Sequence, residues 1–326
     1  MSGDVSESAV IAAIRSAVSG AGAPMQVGIG DDAAVLEHHG PLVACHDLLV
    51  EDVHFRRAWA GAADIGHKAL AVNLSDLAAM GAVPTAALVG LSLPPAVGLD
   101  DVERMFGAMA SLAVAHGVAL AGGDTTTGPV LSLGVTALGR MEDGVPPLTR
   151  AGGRPGDLLC VTGPLGAAAA GLALLENPGL GEGLPRARAD ALRAAPLRPS
   201  PQVGPGRALA AAGAHAAIDI SDGLLLDAGR LADASGCGLV LDLSCLPLAA
   251  GVPEMADAVA RPADLLAATG GEDYELLVAL PPEDLGRLRA AGGTLTPVGG
   301  LTAAPGRRIH RNGAEVAVDK AGWESP

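Results

Sequence analysis

Acidic side chains recur in this sequence inside stretches that otherwise belong in a core or a tight turn. They occur as GIGDDAAVL (Asp31, Asp32), VACHDLLV (Asp47), AVNLSDLAAMGA (Asp76), LAGGDTTTG (Asp124) and AIDISDGLLLD (Asp219, Asp222). A carboxylate among residues that favour burial is costly unless a positive charge meets it. The 326-residue chain has only two lysines, Lys68 and Lys320, and its arginines concentrate around 140–154 and 186–207. Hard divalent cations are the simplest partners for these acids, because magnesium takes oxygen ligands and brings substrate phosphates with it. Taken singly, some have blander explanations. Asp222 before Gly223 could cap a helix, and Asp124 after Gly-Gly could be a turn residue. Asp76, inside an apolar helical pattern with Asn73 one turn back, is harder to explain so. The tandem Asp31 and Asp32 would repel without a cation beside them. It is the recurrence in separate settings that points to metal.

Two familiar phosphate grips are absent. GIGDDA fits G-x-G-x-x-A through Gly28, Gly30 and Ala33. However, that fingerprint offers backbone N–H groups to a bare pyrophosphate after a strand. Here two carboxylates fill the intervening positions and no good strand precedes them. The pattern G-x-x-x-x-G-K-[ST] occurs nowhere. A nucleotide enzyme built from this chain would hold phosphates by metals, arginine and Gly-rich backbone.

The bulk numbers narrow the partners. A formal net charge of −15 argues against a nucleic-acid groove or an anionic membrane surface. Cys45, Cys160, Cys237 and Cys245 are scattered without a C-x-x-C, which suits a reducing compartment and gives no zinc or disulfide framework. The N-terminus lacks a basic region followed by an apolar run, and no apolar run reaches about 18 residues. The expected location is cytoplasmic. Aromatics are only 2 % of the chain, so few rings remain to stack on a ligand: Phe55, Trp59, Phe106, Tyr274 and Trp323.

The elements that must position these residues are of mixed type. Apolar spacing predicts helices over 5–19, 64–80 and 100–116, with Asp64 as an N-cap and Asp100 and Glu103 in a capping relation. Residues 41–50, 86–93 and 130–139 are predicted to be strands. The Pro/Gly-containing stretch 143–157 predicts a domain boundary. Beyond it LLCVTGPLGAAAAGLALL suggests strand, turn and helix, and the Gly/Pro/Arg-rich 177–206 an irregular connection. The strand AAIDI, a helix from about 223 to 234, the strand GLVLDL and a late strand YELLVAL follow. Domains of 1–145 and 146–326 are expected.

Several motifs together carry a family resemblance. GIGDDAAVL, VHF at 53–55, KALAVNLSDLAAMGAVP at 68–84, GGDTT at 122–126, LTRAGGRPGD at 148–157, AIDISDGL at 217–224 and GGEDYELL at 270–277 occur in order. From about residue 26 to 323 the chain resembles the thiamine-monophosphate kinases. GGDTT and DxSDG alone would mark only the wider aminoimidazole-ribonucleotide-synthetase-like superfamily. The resemblance implies an α/β (α+β) two-domain fold with mixed sheets flanked by helices. The N-terminal sheets would pair across a homodimer, with ATP in a cleft near that interface. The 1–145 domain would bind ATP and metal and dimerise, and 146–326 would complete the active-site cleft.

The activity implied is transfer of the ATP γ-phosphate onto thiamine monophosphate, giving thiamine diphosphate, with several magnesium ions. By motif position Asp32, Asp47, Asp76, Asp124, Asp219 and Asp222 would hold metal. Gly123, Asp124, Arg150 and Ser221 would contact ATP; His54, Glu272 and Trp323 would meet the thiamine substrate. No dedicated general base is expected, because the acceptor is itself a phosphate with a second pKa of about 6. One departure stands out: the family usually has a Ser/Thr pair just before the aspartate equivalent to Asp47, whereas this chain has Cys45 and His46. Both are poor magnesium ligands. The rival readings are a purine-pathway ATP-dependent ligase or a selenophosphate synthetase of the same superfamily, and a non-catalytic nucleotide and metal sensor. The second lacks its reactive Cys here, and a sensor need not keep so many acids.

Overall fold

A computed structural model describes residues 6–18, 28–29, 33–319 and 321–323. Asp31 and Asp32 lie outside the described residues. The chain divides into two compact units. One runs to Leu77 and resumes over Ala82–Asp143; the other comprises Ala78–Gly81 and the chain from Gly144.

In chain order the first unit is built from α1 (Glu7–Ala17), β1 (Leu42–Val50), α2 (Ala62–Ala79), β2 (Val83–Leu93), α3 (Leu99–His116), β3 (Ala119–Thr127) and β4 (Ser132–Arg140). Its four-stranded sheet has the order β1-β4-β2-β3. β4 is antiparallel to both β1 and β2, while β2 and β3 are parallel across the α3 connection. Burial alternates along β1, as a period of two requires: Cys45, Asp47 and Leu49 turn inward, and Leu42, His46 and Leu48 stay exposed. The core beneath comes from Leu70, Leu74 and Leu77 of α2, Met105 and Met109 of α3, and Leu133 and Val135 of β4.

The caps differ from expectation. Asp64 lies in the first turn of α2 and reaches back to the Gly61 N–H (3.1 Å) instead of standing at the cap. α3 is capped at Gly98, whose N–H donates to Asp101 at 3.4 Å, in place of the Asp100 and Glu103 arrangement. LAGGDTTTG, where sequence allowed a turn, is strand β3 at a sheet edge.

The second unit continues with β5 (Leu158–Val161), α4 (Ala167–Glu176), α5 (Arg186–Ala194), α6 (Val203–Ala211), β6 (Ala216–Asp219), α7 (Leu224–Ala234) and β7 (Gly238–Asp242). It ends with α8 (Val252–Ala258), α9 (Ala263–Thr269), β8 (Leu276–Leu280), α10 (Leu285–Gly292), β9 (Thr296–Thr302), β10 (Arg307–Arg311) and β11 (Ala314–Glu315). Its seven strands are ordered β11-β10-β7-β9-β5-β8-β6. Neighbours are antiparallel except β7 with β10. Every residue of the interior strand β8 is buried, which explains its unbroken apolar run. The irregular connection expected over 177–206 instead contains α5 and the start of α6. Burial of Leu192, Val203 and Leu209 stabilises helix there despite the Gly and Pro content.

Candidate active site

In the first unit, β1 and α2 bring Cys45, Asp47, Asn73 and Asp76 together. The Asp47 N–H donates to Asn73 Oδ1 (3.1 Å), the Asn73 amide donates to the Ala69 carbonyl (3.0 Å), and the Cys45 thiol donates to the Asn73 carbonyl (3.3 Å). Asn73 thus pins the strand to the helix. Burial pushes the Cys45 thiol far above its ordinary range, and the neighbouring Asp76 and Asp47 charges push it the same way. It stays a thiol. Burial also raises the Asp47 carboxyl, against the opposing influence of His46 and His54.

The two histidines do different things. His46 stands on the opposite face of β1, its Nδ1 2.9 Å from Thr136 Oγ1 on β4. His54 accepts the Val50 N–H at Nδ1 (3.1 Å), so its proton sits on Nε2, and its carbonyl accepts from the buried Lys68 ammonium (3.2 Å).

Asp124 occupies the other edge of the same sheet. The register Asp47–Val135–Val89–Gly123 runs straight across it, so Gly123 and Asp47 end one row. Three strand spacings separate them, roughly 14 Å, and no single magnesium can bridge Asp47 and Asp124 within this unit. Glycine is required at 123, because a Cβ there would sit 1.8 Å from the Val89 carbonyl oxygen. Among the described residues no three His, Cys, Asp or Glu form a closed metal cage. The oxygen donors of Asp47 and Asp76, both beside Cys45, nonetheless fit a hard dication. Magnesium commonly takes one or two carboxylates and completes its shell with water and phosphate oxygens.

In the second unit the site residues gather at the end of β6. The Ser221 carbonyl accepts the Glu272 N–H (2.8 Å), and the Asp222 carbonyl accepts the Trp323 N–H (2.9 Å). Gly271 lets the two segments close up, since a Cβ there would come within 2.4 Å of the Ser221 oxygen. Glu272 (φ +67°) and Tyr274 (φ +52°) both hold left-handed backbone, a conformation that costs about 1–3 kcal/mol per non-glycine residue and clusters at functional sites. Asp273 between them accepts the Gly166 and Ala168 N–H groups (2.7 and 3.2 Å) at the start of α4, and so clamps the segment. Arg150 is exposed, but its backbone is fixed. Its carbonyl accepts from Ser235 Oγ (2.9 Å), and the adjacent Thr149 carbonyl accepts the Ala217 N–H of β6 (3.0 Å).

Asp222 is not a helix cap. Its carboxylate pairs with Arg230, an arginine outside the motifs that carry the resemblance, which also bonds Asp227 Oδ1 (2.8 Å). The wholly buried Asp227 reaches back from α7 to the turn before it: its Oδ2 accepts the N–H groups of Ser221, Asp222 and Gly223 at 3.1, 3.0 and 3.1 Å. Asp227, Arg230 and Asp273 were not anticipated as site residues, although the spacing of Asp227 and Arg230 on one helix face was available as a signal.

Burial raises Asp227 from 3.8 to about 6 and Asp273 from 3.8 to about 7; the neighbouring acids add to both shifts, and the backbone N–H groups oppose them. The folded chain therefore binds more protons than the unfolded chain between those values. The stability these groups contribute is fully present below about pH 4 and is lost as pH rises through about 6–7. The urea midpoint of Asp273→Asn is accordingly expected to change less than that of the parent between about pH 5 and pH 8. An equal pH difference would contradict the assignment.

Residues 30–141 match the family model for the AIR synthase related protein N-terminal domain, and residues 154–311 match that for its C-terminal domain. The thiamine-monophosphate kinase of Escherichia coli K12 is 39% identical over 315 residues, covering 92% of each chain. The crystal structure of thiamine-monophosphate kinase from Stenotrophomonas maltophilia K279a has a TM-score of 0.81 and 38% identity, over 95% of this chain and 98% of that one. A second solved structure, AaThiL complexed with AMPPCP and TMP, has a TM-score of 0.77 and 29% identity, over 98% and 97%.

Proposed function

The chain belongs to the thiamine-monophosphate kinases among the AIR synthase related proteins, and from that premise we propose how its residues carry out the phosphoryl transfer. The activity is ATP-dependent phosphorylation of thiamine monophosphate, in thiamine biosynthesis. The γ-phosphoryl group passes directly and in line to an oxygen of the acceptor phosphate. That oxygen is mostly ionised at neutral pH, so the chain supplies positioning and charge and no dedicated base.

Asp47, Asp76 and Asp124 would hold magnesium from the first unit, together with Asp32, which lies outside the described residues. Asp219 and Asp222 would do so from the second. Arg230 engages Asp222 through Oδ2, and a carboxylate has about four lone-pair sites, so oxygen remains for a cation. Bound magnesium would neutralise the charge of two phosphorylated substrates at close approach. Cys45 stays protonated and donates to backbone, so it is left out of the donor set.

Gly123, Asp124, Arg150 and Ser221 contact ATP, with the Arg150 fork offering paired donors to phosphate. His54, Glu272 and Trp323 meet the thiamine half, where a carboxylate and an indole face suit a thiazolium cation. The observation that carries this reading is the pair of hydrogen bonds from Glu272 and Trp323 to the Ser221–Asp222 turn. They tie the two groups suited to the cation to the turn assigned to nucleotide and metal.

A homodimer through the four-stranded sheet is part of the proposal. Leu42 and Leu48 are each 54 % exposed and Leu88 is 38 % exposed; their register puts all three on the outward face of the sheet, where apolar side chains suit a partner sheet. A cytoplasmic location is likewise proposed; among the described residues no helix is long and apolar enough to cross a membrane. Incubation with ATP, magnesium and thiamine monophosphate should yield equal amounts of thiamine diphosphate and ADP by mass spectrometry. ADP without the diphosphate, or dependence on another acceptor, would overturn the assignment.

A further inference from the structure

We propose that Asp227 and Arg230 are a positioning pair that sets the Ser221–Gly223 turn and, through it, Glu272 and Trp323. The inference rests on the reading above for what Glu272 and Trp323 bind, but its geometry stands apart from that. Two consecutive peptide planes are each held from both sides. In the plane joining Ser221 to Asp222, the carbonyl accepts from Glu272 N–H and the N–H donates to Asp227 Oδ2. In the plane joining Asp222 to Gly223, the carbonyl accepts from Trp323 N–H and the N–H donates to the same Oδ2.

Rotation of either plane would move both ends together. One buried carboxylate oxygen thus fixes the directions in which the 221 and 222 carbonyls point, and those carbonyls fix two segments distant in sequence. Bonds linked in this way also polarise one another.

Capping of α7 alone does not call for such a device. An Asn or Ser at the cap would satisfy its N–H groups without burying a charge. Here the cap is Gly223, at φ +117° and with Thr269 backbone 3.0 Å from where a Cβ would lie, and no side chain caps the first-turn N–H groups of α7. The Asp227 oxygen serves instead the three N–H groups ahead of the helix, and Arg230 compensates its charge while bonding the Asp222 carboxylate as well. Both bonds come from one guanidinium nitrogen, Nη1, and the shorter stem of a lysine would not carry its ammonium to the same point between the two carboxylates.

The test uses Asp227→Asn and Arg230→Lys, each in a Trp59→Phe background that leaves Trp323 as the single tryptophan. Without ligand, hydrogen exchange at the Glu272 and Trp323 amides should rise about tenfold or more, the size expected for losing a charge-assisted hydrogen bond. Exchange at Leu277 and Val278 in β8 should stay unchanged. Titration of Trp323 fluorescence with thiamine monophosphate should give about tenfold weaker binding, and the KM for this substrate should rise more than kcat falls. Parental exchange at both amides in both variants would overturn the proposal. So would a uniform rise that includes β8, which would mean the pair only holds α7 in place. If Asp227→Asn does not fold, Arg230→Lys decides by the same readouts. Failure of the parent to bind thiamine monophosphate would count against the proposed function, and the amide exchange would still decide the positioning claim.

Discussion

Replacing Asp76 by Asn is expected to lower turnover on the order of a thousandfold while the protein stays folded. The substitution keeps shape and volume, and Asp76 is only partly buried on α2, so packing has little reason to fail. What it removes is one of the two charges that suppress ionisation of the Cys45 thiol. In that partly buried setting a charge carries a desolvation cost that the neutral amide lacks. The metal-free Asp76→Asn protein should therefore melt no lower than the parent. Saturating magnesium should raise the melting temperature of the parent and leave that of the variant nearly unmoved, because only binding to the folded state shifts the equilibrium. Asp124→Asn should lose turnover similarly from the other edge of the sheet. Full activity in both variants would mean these acids are structural.

Arg150→Ala is expected to lower kcat/KM for ATP by about a hundredfold, with little change in thermal stability. The backbone of the loop is tied by Thr149 to Ala217 and by Arg150 itself to Ser235. Both ties use carbonyls, which survive the substitution. Loss of activity would then report the side chain and not the loop. Arg150→Lys should recover only part of the loss, since an ammonium restores charge without two parallel donors. Parental kinetics for Arg150→Ala would remove this residue from the ATP contacts.

The legibility of this architecture in sequence depended on how local each feature is. The alternation of β1 put Asp47 and Cys45 on the inward side, and the stripe of α2 put Asp76 among core leucines; both follow from a period and need no partner. The Gly-Gly-Asp of GGDTTT has weak strand propensity, and there β3 continues because β2 pairs with it in parallel. The same holds for α5 and α6, where buried contacts override composition. AIDISDGLLLD was read as a source of acids, yet the role of Asp227 depends on a turn whose shape no periodicity specifies. Nor could sequence say that the Trp323 amide meets the Asp222 carbonyl, a pairing between remote segments made only by the fold. Counting lysines pointed to cations, but it passed over Arg230, which already meets Asp222.

The most direct test follows the phosphoryl group itself. With ATP labelled at the γ-phosphate, plus magnesium and thiamine monophosphate, the transferred label should appear only on the terminal phosphate of thiamine diphosphate, with none covalently attached to the protein at any time. Label covalently attached to the protein, or released as inorganic phosphate without labelled diphosphate, would contradict direct transfer between the two substrates.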